Sequence, residues 1–232
     1  QGVDIDWAAA NSAIQLGASR MNGVFLSRRG VVVGAGLGLL AISTRGALAQ
    51  TTPSEREGPF FPTNTNVERD ADLTRLAGRS QRAAGQVMEL SGRVLDAKGR
   101  PVPGARVELW QANAAGRYAH PGDAANPAPI DPGFQGYALL TSGADGGFRV
   151  TTIKPAGYNV PQIGVRTPHL HWKVGAGPRR LSTQSYFPDE PQNDTDPLMR
   201  AMGDPARALI ARKAPAGEPG ALGFTWEIVL PA

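Results

Sequence analysis

The chain has 232 residues with 29 glycines, 20 prolines and no cysteine, a balance that suits one turn-rich domain with appendages and disfavours two cores or a helical bundle. Lack of cysteine excludes thiolate metal sites, iron–sulfur clusters and cysteine nucleophiles. Of the formal charge of +4, half lies in residues 1–49, where Arg20, Arg28, Arg29 and Arg45 face only Asp4 and Asp6; what remains carries no nucleic-acid footprint.

Residues 1–49 read as an upstream and targeting segment. Those before Met21 show no packing pattern. Ser27-Arg28-Arg29 then leads into the apolar run Val31 to Ile42 and on to Ala47-Leu48-Ala49, the order of a charged region, a hydrophobic stretch and a small-x-small cleavage site. The paired arginines are similar to a twin-arginine export signal, with cleavage after Ala49. The expected location is the periplasm, or the cytoplasm if the signal is unused. The apolar run falls short of the roughly 20 residues a bilayer requires, so no stable membrane insertion is expected after processing.

Residues 50–87 are polar and interrupted by Pro53, Pro59 and Pro62, an N-terminal arm with a short helix around Asp70 to Leu76. Strands begin at Met88, where Leu90, Gly92 and Val94 alternate with Ser91, Arg93 and Leu95. Val107 and Leu109 mark a second strand. Tyr137 to Thr141 and Phe148 to Ile153 flank the glycine-rich Ser142 to Gly147 and are expected to form a hairpin. His169 to Val174, Leu181 to Phe187 and Phe224 to Leu230 complete the set, with one helix over Asp196 to Ala211 presenting Leu198, Met202, Leu209 and Ile210. The expected fold class is mainly β: an antiparallel β-sandwich over 88–232 with the arm and short helices.

Two of the three histidines stand in His169-Leu170-His171. A strand has a side-chain period of two, so both imidazoles project from one face and Leu170 and Trp172 from the other. Such a pair suits a metal, and equally a polar sheet face. The glutamate that a cupin carries after its His-x-His is absent from Trp172-Lys173-Val174-Gly175, and no motif places a carboxylate for a ferrous facial triad. Two of the four tyrosines, Tyr118 and Tyr158, fall in expected loops.

Glu57-Gly58-Pro59-Phe60-Phe61-Pro62, the run Gly104 to Tyr118, Thr152-Ile153-Lys154-Pro155 with Tyr158, Arg166-Thr167-Pro168-His169-Leu170-His171 and Gln184-Ser185-Tyr186-Phe187 together resemble the intradiol ring-cleavage dioxygenases, whose protocatechuate branch they follow best. The resemblance implies a non-haem Fe(III) held by Tyr118 and Tyr158 as phenolates and by His169 and His171. It implies a catechol-type aromatic substrate opened with O2 to a cis,cis-muconate-type dicarboxylic acid. Tyr158 would be the ligand that leaves and takes a substrate proton, and Arg166 the cation beside the ring. Gln184 and Tyr186 would support the centre, with Phe60 or Phe61 on the substrate wall. His120 is no ligand in that pattern and reads as a loop residue. Between Tyr158 and Arg166 the loop is shorter and less aromatic than in the protocatechuate enzymes, so the ring substituent stays open, as does assembly into a homo- or hetero-oligomer. The alternative is a non-catalytic prealbumin-like or carboxypeptidase-regulatory-like β-sandwich, which the stretches Leu90 to Val94, Gly99 to Ala105 and Asp145 to Phe148 fit as well.

Overall fold

A computed structural model describes residues 49–64 and 67–232, all within one compact unit, Arg45–Ala232. The apparent export signal, Ser27 to Leu48, lies outside the described residues. No helix among those described is long and apolar enough to cross a membrane.

The strands are β1 (Val87–Leu95), β2 (Arg106–Trp110), β3 (Tyr137–Thr141), β4 (Gly147–Ile153), β5 (Tyr158–Val160), β6 (Gly164–Arg166), β7 (His169–Ala176), β8 (Arg179–Tyr186), β9 (Arg212–Lys213) and β10 (Leu222–Val229). They form one sheet in the order β4-β1-β10-β9, a second in the order β3-β2-β7-β8, and a small pair, β5-β6. Inward positions of both large sheets meet in one core that includes Met88, Leu90, Leu109, Leu170, Trp172, Val174, Trp226 and Ile228. The period-two pattern thus selects the buried face on each strand.

The mainly β, antiparallel-rich sandwich is as expected, with β1 running parallel to β10 as the exception among the strand pairs. Three expectations need correction. β3 and β4 are not a hairpin: β3 pairs with β2 and β4 with β1, and the turn between them is a corner joining the two sheets. Ser142 pins that corner by donating to Val102 O and accepting from Ala105 N, which ties it to the β1–β2 connection. Glycine-rich turn chemistry serves a corner as well as a hairpin, and only the strand partners decide.

The arm has no helix at Asp70 to Leu76. Asp72 Oδ1 instead accepts from the Thr74 amide and hydroxyl, and the Leu73 amide donates to Thr151 O. Leu73 is thereby fully buried, and a tertiary anchor replaces the local helix. The expected helix from Asp196 to Ala211 is also broken. Helix α1 spans only Pro197–Met202 and ends at Gly203 with φ 68°, followed by a 3-10 turn over Asp204–Leu209. Gly203 takes a positive φ open to glycine, and Pro205 cannot continue an α-helical ladder. The residues turned inward are Met199, Ala206 and Leu209.

Candidate functional site

β7 carries His169 and His171 on the face away from the inter-sheet core, yet each is only 2% exposed. The arm supplies the cover. A Cβ on Gly58, which has φ +74°, would lie 3.2 Å from His171 Cε1, so the chain crosses the imidazole where only glycine fits comfortably. On the other side Trp110, opposite His171 in the β2–β7 ladder, stacks on its ring at 5.0 Å between centroids and 11° between planes.

Tyr118 stands in the loop after β2. Asn113 Oδ1 folds that loop by accepting from the Ala115 and Arg117 amides, and Asp123 Oδ2 accepts from the Tyr118 amide at 2.8 Å. Tyr158 is not in a loop as expected: it opens β5, directly opposite Arg166 on β6. A Cβ at Gly116 would lie 2.6 Å from Gly157 O, so glycine there lets the two tyrosine-bearing segments touch.

The result is a chain of polar atoms. The Tyr118 and Tyr158 hydroxyls are 3.1 Å apart, Tyr158 Oη is 3.1 Å from His169 Nε2, and the two histidine Nε2 atoms are 3.1 Å apart. Thr167 O, an acceptor only, lies 2.6 Å from His169 Nδ1. Nδ1 therefore carries the hydrogen and Nε2 turns its lone pair toward Tyr158 Oη and His171 Nε2. Burial holds the His169 imidazole down at about 3, helped by the nearby Arg166 charge. Burial, with His169 and Arg166, holds His171 well below its ordinary 6.5. Both rings are neutral and free to ligate.

Burial also pushes the Tyr118 hydroxyl well above 10 and that of Tyr158 up to about 12. The protein alone therefore keeps both phenols protonated, and only a cation would draw out their protons. Among the described residues no three His, Cys, Asp or Glu side chains gather to hold a metal; beside the two imidazoles stand the two phenol oxygens. Contacts of about 3 Å between donors suit ligands sharing one cation at roughly 2 Å. Two phenol oxygens with two neutral imidazoles make a hard set fit for a ferric ion.

Arg166, 4% exposed, is held on three sides. Nε donates to Asp196 Oδ2 at 2.8 Å, and Nη2 donates to Gln184 Oε1 at 2.7 Å and Tyr186 Oη at 3.1 Å. Burial works against its charge, and Tyr186 and Asp196 outweigh it. Asp196 does double duty: Oδ2 also accepts from the Thr167 amide, while Oδ1 caps α1 through the Leu198 and Met199 amides. Beyond Tyr186 lies Glu55 of the arm, whose Oε1 accepts from the Tyr186 hydroxyl. Burial raises its carboxyl above the ordinary 4.5.

The two candidate wall residues divide. Phe60 sits 4.8 Å from the Tyr118 ring and 6.3 Å from Tyr158. Phe61 turns toward Trp110 and Tyr137 instead, under the Lys173 ammonium. His120 caps the short 3-10 turn Pro121–Asp123 and packs on Phe60. Sequence reasoning missed Asp196 as the partner of Arg166, along with Trp110, Asp123 and Glu55. Asp196-Pro197 is a readable helix start, but nothing local ties it to an arginine thirty residues away.

Residues 56–232 match the dioxygenase family. The beta chain of protocatechuate 3,4-dioxygenase from Burkholderia cepacia is 40% identical over 169 residues, covering 69% of this chain and 71% of that one. Hydroxyquinol 1,2-dioxygenase from Nocardioides simplex is 30% identical over 204 residues, covering 82% of this chain and 65% of its own length. Among solved structures, the dioxygenase domain of a dioxygenase carbohydrate-binding protein fusion from Streptomyces sp. SirexAA-E aligns with a TM-score of 0.59 at 31% identity, over 78% of this chain and 99% of that one.

Proposed function

The chain belongs to the dioxygenase family as an intradiol ring-cleaving enzyme, and from that premise we propose that it opens a catechol-type ring at one non-haem ferric ion held by Tyr118, Tyr158, His169 and His171. The observation that supports this reading is the run of 3.1 Å contacts joining the four side chains. Bound ferric iron would draw electron density from a catecholate and expose a ring carbon to dioxygen, giving a cis,cis-muconate-type dicarboxylic acid. Relatives named for intradiol substrates favour this reading over a non-catalytic sandwich.

The chain's own residues supply the rest. Tyr158, the less buried of the two tyrosines, is placed to take up a proton from a substrate hydroxyl. Arg166 offers a fixed positive charge to an electron-rich ring, and its ties to Asp196, Gln184 and Tyr186 remove the cost of orienting it during reaction. Phe60 gives the ring an apolar wall beside Tyr118. His169 and His171 are neutral, and Trp110 and the Gly58 crossing shelter the His171 ring.

The iron-loaded protein should show a broad visible phenolate-to-metal absorption band. A colourless protein that retains no iron after reconstitution would sink the ligand assignment. Catechol, protocatechuate and hydroxyquinol, each supplied with oxygen, should be compared by following the ring-opened acid. Export through the arginine pair at Arg28 and Arg29 is likewise our proposal. Cell fractionation of the full chain against an Arg28→Lys, Arg29→Lys variant tests it, and equal periplasmic amounts of the two would end it.

A further inference from the structure

Arg166 Nη2 donates to Tyr186 Oη and Gln184 Oε1, and both acceptors are held from behind by consecutive residues of the arm. Arg56 O accepts from Gln184 Nε2 at 3.1 Å, which turns the amide so that its oxygen faces the guanidinium. Glu55 Oε1 accepts from the Tyr186 hydroxyl at 3.1 Å. That hydroxyl has one hydrogen, and with the hydrogen drawn to the carboxyl its lone pairs are left for Nη2. Without Glu55 the hydrogen would turn to Gln184 Oε1, 3.2 Å away, the oxygen on which Arg166 already depends. Resting on the dioxygenase reading above, we propose that Glu55 is a positioning residue for ring opening: acting through Tyr186, it holds the Arg166 guanidinium in the orientation the reaction uses.

Holding the arm in place does not require this carboxyl. The arm is tied to β8 by other groups: the Glu55 amide donates to Ser182 O, Thr183 Oγ1 to Pro53 O and Ser182 Oγ to Glu57 Oε1. Glu55 Oε2 is buried with no hydrogen-bond partner among the described residues, so the bond to Tyr186 is the carboxyl's one tie there. Burial raises its pKa, against the pull of Tyr186 and Arg166 and with a further push from Asp196. A half-satisfied buried carboxyl costs stability, and such a group is found where it serves function. The groups it serves are buried too, Tyr186 fully and Arg166 at 4% exposure.

The test couples Glu55 to Arg166. In the iron-loaded enzyme with catechol, Glu55→Ala is expected to lower kcat about fivefold, the equivalent of one hydrogen bond, with KM unchanged. Glu55→Gln, which keeps an acceptor oxygen, should restore most of that loss, and Tyr186→Phe, which removes the link but keeps the ring, should reproduce it. In an Arg166→Ala background Glu55→Ala should have no further effect. The same fall in that background, or a change in KM alone, would overturn the proposal. A second readout needs no iron: side-chain nitrogen NMR of the metal-free protein follows rotation of the Arg166 guanidinium, with Arg166→Ala identifying its signals. Glu55→Ala and Tyr186→Phe should each speed that rotation about fivefold, and rates equal to wild type in both would overturn the proposal whatever the turnover. Unfolding in urea verifies that each variant is folded. A wild-type protein with neither visible band nor ring opening would end the iron reading, while the rotation rates still decide whether Glu55 holds Arg166.

Discussion

The two faces of β7 are buried alike and differ in everything else. Leu170, Trp172 and Val174 are fully buried on the side of the inter-sheet core, while His169 and His171 are 2% exposed on the opposite side. On the core face the only polar demand, the Trp172 indole N–H, is met by Ser185 Oγ at 2.8 Å. On the site face His171 Nδ1 has no partner, and His169 Nε2 lies 3.1 Å from both Tyr158 Oη and His171 Nε2. One face is stable because its contacts are complete. The other is held in an unfinished arrangement by what surrounds it, as expected where structure serves chemistry.

Substitutions can break one face and spare the other. The largest functional effect is expected for Tyr118→Phe: the visible band and ring opening should both vanish, while the unfolding midpoint shifts by less than about 4 °C, because the ring packing is kept. Absorbance and calorimetry on the same sample decide this. Trp172→Ala should do the reverse, lowering stability in urea by about 3–5 kcal/mol through a core cavity.

Asp196→Ala tests the support beneath the site face. It strands the buried Arg166 charge and uncaps α1, and should cost about 3–5 kcal/mol in the same assay, with slower turnover as well. Arg166→Ala should leave a coloured enzyme whose kcat falls by roughly 10²–10³, the loss typical of one preorganised electrostatic group. Stopped-flow turnover beside the spectrum checks both halves.

The smallest effect concerns Glu55. Burial raises its carboxyl above 4.5 in the folded protein, so the native state binds this proton more tightly than the unfolded chain. Stability from this group is complete below about pH 4.5 and falls as pH rises through the folded value. Glu55→Gln removes that slope. Its unfolding midpoint should match the wild type in acid and exceed it at neutral pH, and a midpoint lower at neutral pH would show that the ionised carboxylate supports the fold.

Much of the site was legible in the chain because its signals are local. His169-Leu170-His171 puts two imidazoles on one strand face whatever that strand packs on, and both do share the face with neutral rings. Arg166 was legible through its nearness to His169. Phe60 and Phe61 were not separable, since which ring turns to the site depends on where the arm lies on the sheets. The hairpin placing Tyr158 opposite Arg166 went unseen because three-residue strands leave no periodic trace.

By itself, then, the amino-acid sequence determined the donor types, their order along the chain, the alternation that sorts buried from outward positions, and the lack of any thiol chemistry. Tertiary structure alone decided that β1 lies parallel to β10, that the turn after β3 changes sheets, that Asp196 anchors Arg166, and that Trp110 and the arm cover His171. The physical reason is one of range. Side-chain period and turn chemistry act over a few residues and can be read from neighbours, whereas the partner of a buried charge or the cover over a ring is chosen by which distant segments bury the most surface together.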